Sequence, residues 1–284
     1  MMHSKTLLYL TACLLLALTA CREDRDLNTD TTSATDEAIS RAYWDDLTRL
    51  VERESQQEGS LNGFHPSEAT EPEDRCVAVN ITPAGGGAFF PATLTLDFGA
   101  GCTYNGKTRS GVITAVFTGK YRNAGTVITV TPSNYVVNGH ALSGTKTITN
   151  NGENAAGQLN YTIDIANGSI TFPNGDVATR SSTRTRTWVA GQGTTFATDG
   201  MAGILDDEHT IDGTASGTNR NGVVYSAITT TPLHFAQACD WIQAGRLEIT
   251  PDGAATRFID YGNTGCDDQA TVGVGNFSMA ITLP

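Results

Sequence analysis

Residues 159–168 read Leu-Asn-Tyr-Thr-Ile-Asp-Ile-Ala-Asn-Gly, and this stretch contains the two signals that decide the fold. Apolar and polar side chains alternate as far as Ile165, which is the period of a β-strand with one buried face. Asn167-Gly168 follows, and this dipeptide readily adopts the positive φ angles of a two-residue hairpin turn. Both signals recur along the chain, so we predict a mostly β protein.

Outward from this stretch, similar β-branched, threonine-rich segments lie at 112–118, 126–131 and 222–229. Asn-Gly or Asp-Gly dipeptides start at residues 62, 105, 138, 151, 167, 174, 199, 212, 221 and 252. We interpret them as recurring hairpins, which predict a large antiparallel, meandering sheet over 76–284 with no helix longer than two turns. The pattern leaves its closure open between an open sheet, a half-barrel and a sandwich.

One face of many strands is expected to be wet, because threonine, serine and arginine alternate with apolar residues. The segment 182–188 illustrates the pattern. Ser182, Arg184, Arg186 and Trp188 share one face, and threonines occupy the other.

An internal repeat predicts the disulfides. Each copy has a cysteine, then an Asp-aromatic-Gly segment, then a Gly-Cys pair, and the copies contain Cys76, Asp97 and Cys102, and Cys239, Asp260 and Cys266. The first cysteine precedes the aspartate by 21 residues in both copies and the second cysteine by 26 or 27. An even number of cysteines in an exported chain indicates disulfides, so we pair Cys76 with Cys102 and Cys239 with Cys266.

A hairpin centred on Asp252-Gly253 supports this pairing in the second copy. Residues whose numbers sum to 505 then face each other, so that Cys239 faces Cys266, Glu248 faces Arg257, and Leu247 faces Phe258.

Asp97 and Asp260 are expected to have a structural role, because an aspartate at a strand end can accept backbone N–H bonds. The alternative is a pair of glycosidase carboxylates.

A single amphipathic helix is predicted at residues 35–59. An apolar stripe at spacings of three and four consists of Ile39, Tyr43, Leu47, Leu50 and Val51. Ser33 or Thr35 is the expected cap. The opposite face, which we expect to be wet, carries Arg41, Asp45, Arg49 and Glu52. A tether at 21–34 precedes this helix, and a loop at 60–75 follows it.

The N-terminus has the features of an export signal. A basic start precedes a mainly apolar stretch at residues 7–20, which is too short to be expected to span a membrane. The stretch ends in Leu18-Thr19-Ala20-Cys21, so we predict a signal peptide at 1–20. An ordinary signal peptide with an incidental cysteine is the alternative.

Small residues before a cysteine resemble the lipobox of bacterial lipoproteins. This resemblance implies cleavage before Cys21, acylation of that cysteine by chains such as palmitate, and a membrane-anchored protein. Arg22-Glu23-Asp24 resembles the export tag of Bacteroidota surface lipoproteins, and Asp30-Thr31-Thr32 resembles the O-glycosylation site of that phylum. The alternatives are a plain charged linker and a chance match. The resemblance implies an outer-membrane or cell-surface location.

Charge excludes some partners. Removal of residues 1–20 takes away one lysine and no acid, which leaves 17 Lys+Arg against 30 Asp+Glu and a net charge of −13. Nucleic acids and anionic lipid headgroups both require a cationic surface, so we expect neither as an electrostatic partner. The expected membrane contact is the lipid anchor, and no ligand or protein partner is identified.

Catalytic signatures are scarce. The histidines of the mature chain are His65, His140, His209 and His234, and the sequence has no zinc, nucleophile-elbow, phosphate-loop or dinucleotide motif. We therefore predict no catalytic residue, cofactor or metal. We interpret Asp206, Asp207 and Glu208, beside His209, as a charged, solvated turn. A calcium site or an acid–base pair is the alternative.

The predicted function is that of a non-catalytic binding or envelope-structural module. The first alternative is a carrier of lipid or another hydrophobic ligand, in which a curved sheet encloses the ligand and the helix forms a lid. The second is a glycan-active enzyme. The concave face of the sheet discriminates between module and carrier, because a carrier needs an uncovered apolar face there.

Overall fold

A computed structural model describes residues 28–57, 61, 76–104, 106–263 and 265–284. The predicted signal peptide, Cys21, the export-tag residues and most of the predicted loop at 60–75 lie outside the described residues.

The β region forms one open antiparallel sheet of fourteen strands. The strands are β1 (Ala78–Gly85), β2 (Ala88–Asp97), β3 (Cys102–Tyr104), β4 (Lys107–Phe117), β5 (Val127–Val137), β6 (His140–Glu153), β7 (Leu159–Thr171), β8 (Val177–Ala190), β9 (Glu208–Thr218), β10 (Val224–Ala236), β11 (Ala244–Pro251), β12 (Arg257–Asp260), β13 (Gln269–Val274) and β14 (Phe277–Thr282). Each strand pairs with its neighbours in the chain, except that β3 pairs only with β4, which itself pairs with β2. The predicted antiparallel meander is confirmed, and its closure is that of an open sheet.

Three helices are present in the described part of the chain: α1 (Thr32–Gln57), α2 (Phe196–Asp199) and α3 (Ala202–Leu205). The last two are single turns between β8 and β9. Helix α1 begins three residues before the predicted start, because Asp30 Oδ1 accepts hydrogen bonds from Thr32 N at 2.9 Å and Thr32 Oγ1 at 2.6 Å. Within the described ranges, no helix combines the length and the apolar character that a membrane crossing requires.

The sheet wraps around α1. Tyr43, Trp44 and Leu47 belong to a cluster with inward-facing residues of β2 to β8, whereas Ala34 and Ala38 belong to a second cluster with residues of β9 to β13. Both halves of the sheet therefore contact the same helix, which lies along the concave face.

The predicted wet face of α1 is wrong. Arg41, Arg49 and Glu52 are 1%, 7% and 1% exposed, and the side chain of Asp45 is 21% exposed. The helix has sheet on its polar side as well as on its apolar stripe. Asp45 and Glu52 therefore meet Lys146 and Arg186 on the strands, whereas Arg41 pairs with Asp45 and Arg49 bonds to the loop after β10.

Strand β8 shows which face of the sheet is wet. Ser182, Arg184, Arg186 and Trp188 do share one face, as predicted, but this face is buried against α1. The threonines between them point outward and are exposed or half-buried. The solvent-exposed face of β8 therefore consists mainly of threonines, and its arginines lie in the interior.

Not every Asn-Gly or Asp-Gly dipeptide forms a hairpin. Those at 138, 174, 221 and 252 do connect consecutive strands. Those at 151, 167 and 212 instead lie inside strands, where the ladder is irregular. Asn167 has φ 53° and lies in a β-bulge of β7. A Cβ on Gly213 would lie 2.3 Å from Thr183 O, so glycine at this position permits the close approach of β8.

Both predicted disulfides are confirmed. Cys76 is bonded to Cys102 and Cys239 to Cys266, with Cα–Cα distances of 5.6 and 5.7 Å.

The predicted β11–β12 register is shifted by one residue from the true one. Glu248 pairs with Phe258 and Leu247 with Ile259, so that paired numbers sum to 506. A one-residue slip moves every side chain of a strand to the other face. The observed register buries both Leu247 and Ile259, which are 2% and 0% exposed, whereas the predicted one would place Leu247 opposite the half-buried Phe258.

Candidate functional site

The concave face of the sheet is the most unusual chemical environment in the described part of the molecule. Helix α1 carries five acidic side chains there, and each of them meets a basic side chain. The acids are Asp36, Glu37, Asp45, Asp46 and Glu52, and their partners on the strands and connecting turns are Arg220, Arg180, Arg184, Lys146, Lys107, Arg109 and Arg186. We call this set the ionic core.

Glu37 lies at the centre of the largest group. Its carboxylate accepts bonds from Arg180 Nε at 3.0 Å, Arg184 Nη2 at 3.0 Å and Tyr225 Oη at 3.1 Å. Glu37 and Arg180 are 0% and 1% exposed. Three side chains from two strands thus converge on one helical carboxylate, since Arg180 and Arg184 come from β8 and Tyr225 from β10.

Asp46 links the helix to β4. Arg109 Nη2 donates to both carboxylate oxygens at 2.9 Å, and Lys107 Nζ lies 3.3 Å from Oδ1. Burial alone would raise the pKa of Asp46, but Arg109 and Lys107 outweigh it and hold that pKa below its usual value. Asp46 is therefore a permanent anion at neutral pH.

Glu52 closes the network at the C-terminal half of the helix. Tyr121 Oη donates to Glu52 Oε1 at 2.6 Å, and Arg186 contacts both Glu52 and Tyr121. Arg186 also stacks over the ring of Tyr161 at 4.9 Å.

Lys146 of β6 bonds to the helix backbone and to Asp45. Its Nζ donates to Trp44 O at 3.0 Å and lies 3.8 Å from Asp45 Oδ1. Burial lowers the pKa of Lys146 to about 8, although Asp45 opposes that effect.

Little space remains along the helix. Two cavities flank α1, each of about 20 Å³, and they share Asp45, Arg49 and Phe235 in their walls. Such a volume holds one or two water-sized particles. Most carboxylates and cations of this face are already paired with each other, so the arrangement joins helix to sheet and leaves no chamber for an organic substrate along the described helix.

The side chains of Asp206, Asp207 and Glu208 do not converge on a common point. Asp206 accepts from Thr194 Oγ1 at 2.8 Å, Asp207 from Gln56 Nε2 at 3.4 Å, and Glu208 lies 3.1 Å from His234 Nε2. In the described ranges, no group of three or more His, Cys, Asp or Glu side chains is placed to hold a metal ion.

A solvated turn is also the wrong description of this segment. Asp207 and His209 are 0% and 3% exposed, because α2, α3 and the end of α1 cover the start of β9. Burial raises the pKa of the Asp207 carboxyl to about 7, against the opposing effect of Arg122. Burial likewise keeps the pKa of His209 well below its usual value.

Asp97 and Asp260 each bond to their own strand end. Asp97 Oδ1 accepts from Gly99 N at 2.8 Å, and Asp260 Oδ1 accepts from Gly262 N at 2.9 Å. The same backbone bond in both copies is what the repeated Asp-aromatic-Gly segment predicts.

The two tryptophans outside α1 lie in different environments. Trp188 is 1% exposed and lies under Arg122 at 4.3 Å, so it is part of the core. Trp241 is half-buried and lines the second cavity.

A shallow polar groove of about 430 Å³ crosses the outer face of β7, β8 and β9. Asp164, Ser181, Thr183, Thr214 and Ser216 contribute to its walls. Thr183 Oγ1 donates to Asp164 Oδ1 at 2.7 Å, and the groove follows the β7 bulge at Asn167.

Sequence reasoning did not identify the ionic core. Two patterns in the sequence carried the available signal. The helix has five acidic residues, and the strands have basic residues at alternate positions. Each pattern by itself is typical of a solvated face, and only the contact between them shows burial.

Comparison with known proteins gives no significant match to any protein-family model, curated protein or solved structure.

Proposed function

We propose that this chain is a lipid-anchored extracytoplasmic protein, exported to the outer membrane or cell surface, that acts as a non-catalytic binding or envelope-structural module. In this proposal the amphipathic helix α1 is an integral part of the folded module. One observation carries the proposal: the concave face of the sheet, where a ligand or substrate would lie, is occupied by α1 and the ionic core.

The anchor hypothesis rests on Leu18-Thr19-Ala20-Cys21, and the contacts of Asn28 and Asp30 indicate which part of the sheet such an anchor would hold. Arg257 of β12 donates from Nη2 to Asn28 O at 3.0 Å and from Nε to Asp30 O at 2.9 Å. Asn28 lies seven positions after Cys21. A fully extended chain of that length reaches about 25 Å, so an anchor at Cys21 would hold the β12 end of the sheet close to the membrane.

Acyl labelling tests the anchor. Cells fed a palmitate analogue should label the wild type and the Cys13→Ser variant, which alters the cysteine within the predicted signal peptide, but not Cys21→Ser. Cys21→Ser should also leave the membrane fraction. Labelling and sedimentation of Cys21→Ser at the wild-type level would contradict the anchor hypothesis.

The carrier alternative is less well supported. A lipid tail requires a continuous apolar chamber, whereas the cavities along α1 measure about 20 Å³ each and have charged walls. Mass spectrometry of the purified protein should find no stoichiometric lipid other than the covalent anchor. A retained, non-covalent lipid would favour the carrier.

The glycan-active alternative would need two carboxylates that act together. Asp97 and Asp260 instead bond to their own glycines, which supports a structural role for both.

The outer groove is the surface where the module would bind a ligand rich in hydroxyl or amide groups. Its exposed hydroxyls and the Asp164 carboxylate can donate and accept hydrogen bonds. In a glycan and peptide array, Asp164→Ala and Thr183→Ala should abolish any binding found for the wild type. Thr129→Ala, on β5, is the control that should leave that binding unchanged.

The glycosylation hypothesis for Asp30-Thr31-Thr32 has weak support. Thr31 is 9% exposed, and Thr32 Oγ1 donates to Asp30.

A further inference from the structure

Of the two cavities beside α1, the one lined by Arg41, Trp241 and Tyr261 has walls rich in buried hydrogen-bond donors, and several of these donors have no partner. Arg41 is 1% exposed; its Nε forms an ion pair with Asp45 Oδ2 at 3.3 Å, and its Nη1 and Nη2 atoms make no hydrogen bond. Trp241 Nε1 and Tyr261 Oη are also buried without a partner, and all three side chains line this cavity. Buried polar groups of native proteins rarely remain unpaired. Asp45 Oδ2 is one acceptor in this wall, but a single oxygen cannot accept from all of these donors, so a further acceptor is expected here.

The chemistry of these groups restricts what the acceptor can be. Guanidinium and indole N–H groups can only donate, and a tyrosine hydroxyl can donate as well. A water molecule accepts at most two hydrogen bonds, which is fewer than these side chains offer. A spherical anion accepts from all of them, and a volume of about 20 Å³ limits it to the size of a halide.

The surrounding charge also favours an anion. The buried basic residues of the described chain are nine: Arg41, Arg49, Lys107, Arg109, Lys146, Arg180, Arg184, Arg186 and Arg257. The buried acidic residues are six: Asp36, Glu37, Asp46, Glu52, Glu54 and Asp207, and the partly exposed Asp45 adds a seventh. The interior therefore has a surplus of positive charge, although the whole protein is acidic.

Asp45 is the acidic side chain of α1 in the cavity wall, and it does not exclude an anion. Its Oδ2 lies 3.3 Å from Arg41 Nε, and its Oδ1 lies 3.8 Å from Lys146 Nζ, so two cations offset one negative charge. Arg49, also in the wall, donates to the carbonyl of Cys239 at 3.1 Å and adds a further positive charge. Asp240, the other acid of the wall, lies on the loop after Cys239.

We propose that this cavity is a binding site for a single halide-sized anion, held by Arg41, Trp241 and Tyr261. The site joins helix α1 to the loop after β10 and to the end of β12, and in doing so it stabilises the enclosed helix. It does not depend on the lipid anchor or on a ligand at the outer groove.

Thermal unfolding of the full-length protein at constant ionic strength tests the proposal. Chloride should raise the melting temperature by about 3 °C for each tenfold rise in concentration above Kd. Gluconate, which is too large for the cavity, should have no effect. Trp241→Phe and Tyr261→Phe each remove one donor while nearly keeping the shape, and should weaken the chloride Kd about five- to tenfold. Tyr135→Phe, at a buried tyrosine outside this cavity, is the control that should leave that Kd unchanged.

Crystals grown in bromide provide a direct second measurement. The anomalous map of the wild type should show one peak within hydrogen-bonding reach of Trp241 Nε1 and Arg41. A melting temperature that is the same in chloride and gluconate, together with no bromide peak in the cavity, would overturn the proposal.

Discussion

At the scale of single residues, the decisive feature is the buried carboxylate that has a defined partner. Glu37 is fully buried and meets two arginines and a tyrosine. Loss of one member of a buried ion pair leaves an uncompensated charge, and the desolvation of that charge is then unopposed. Exposed pairs behave differently, because water already solvates both partners.

Glu37→Gln should therefore lower the free energy of unfolding by about 3–5 kcal/mol. Arg246→Gln is the matched control, because Arg246 and Asp260 form a pair at 3.1 Å that is 36% and 38% exposed. The control should cost less than about 1 kcal/mol. Chemical denaturation measures both, and equal losses would mean that the ionic core contributes no more than a surface pair.

For Asp207, in contrast to Glu37, we predict that replacing the carboxylate by an amide increases the stability of the protein at high pH. Its pKa rises from 3.8 to about 7 on folding. Between these two pH values the carboxyl is protonated in the folded state and ionised in the unfolded state. This carboxyl therefore makes the protein less stable as the pH rises from about 4 to about 7. Asp207→Asn should remove that slope and be more stable than the wild type at pH 8.

Denaturation curves at several pH values measure this slope. The exposed neighbour variant Asp206→Asn should retain the wild-type slope. If Asp207→Asn also retained it, the carboxyl would not be protonated in the folded protein.

At the scale of elements, α1 is the component that the sheet is built around. Its apolar stripe packs on β2 to β8, and its charged face is bonded to β4, β6 and β8. A helix enclosed in this way should unfold together with the sheet, as one cooperative unit.

Leu47→Asp tests that coupling, because Leu47 is 0% exposed and an unpaired charge in an apolar contact costs several kcal/mol. The melting temperature of the whole protein should fall in a single transition. Thr35→Asp, at a half-buried position in the first turns of the helix, should change it little, since negative charge is tolerated there. An unchanged melting curve for Leu47→Asp would mean that α1 is not part of the cooperative unit.

At the scale of the whole molecule, the ionic core predicts sensitivity to acid. Asp45 and Asp46 have pKa values below 3.8 in the folded state, so their ion pairs contribute fully above about pH 4. That contribution is lost as the pH falls through the folded-state values. The free energy of unfolding should therefore decrease steeply below pH 4, as followed by circular dichroism. A profile that stays flat down to pH 2 would contradict the assignment.

Several features could be predicted from local pattern alone. The period-two alternation and the turn dipeptides predicted the antiparallel meander, and the matched cysteine spacings predicted both disulfides. The backbone role of Asp97 and Asp260 followed from the repeated segment around them. Strand period, turn chemistry and a 26- or 27-residue cysteine spacing are properties of neighbouring residues, so they can be read from the chain itself.

Other features were decided only by contacts between distant residues. Glu37 and Arg180 are 143 positions apart, and each alone belongs to an ordinary polar face. The β11–β12 register depended on which face the rest of the molecule buried. The bulge at Asn167 and the close approach of β8 to Gly213 depended on the neighbouring strands. Burial is a property of the enclosed volume, so only the tertiary structure decided that the charges of α1 and of the strands face each other.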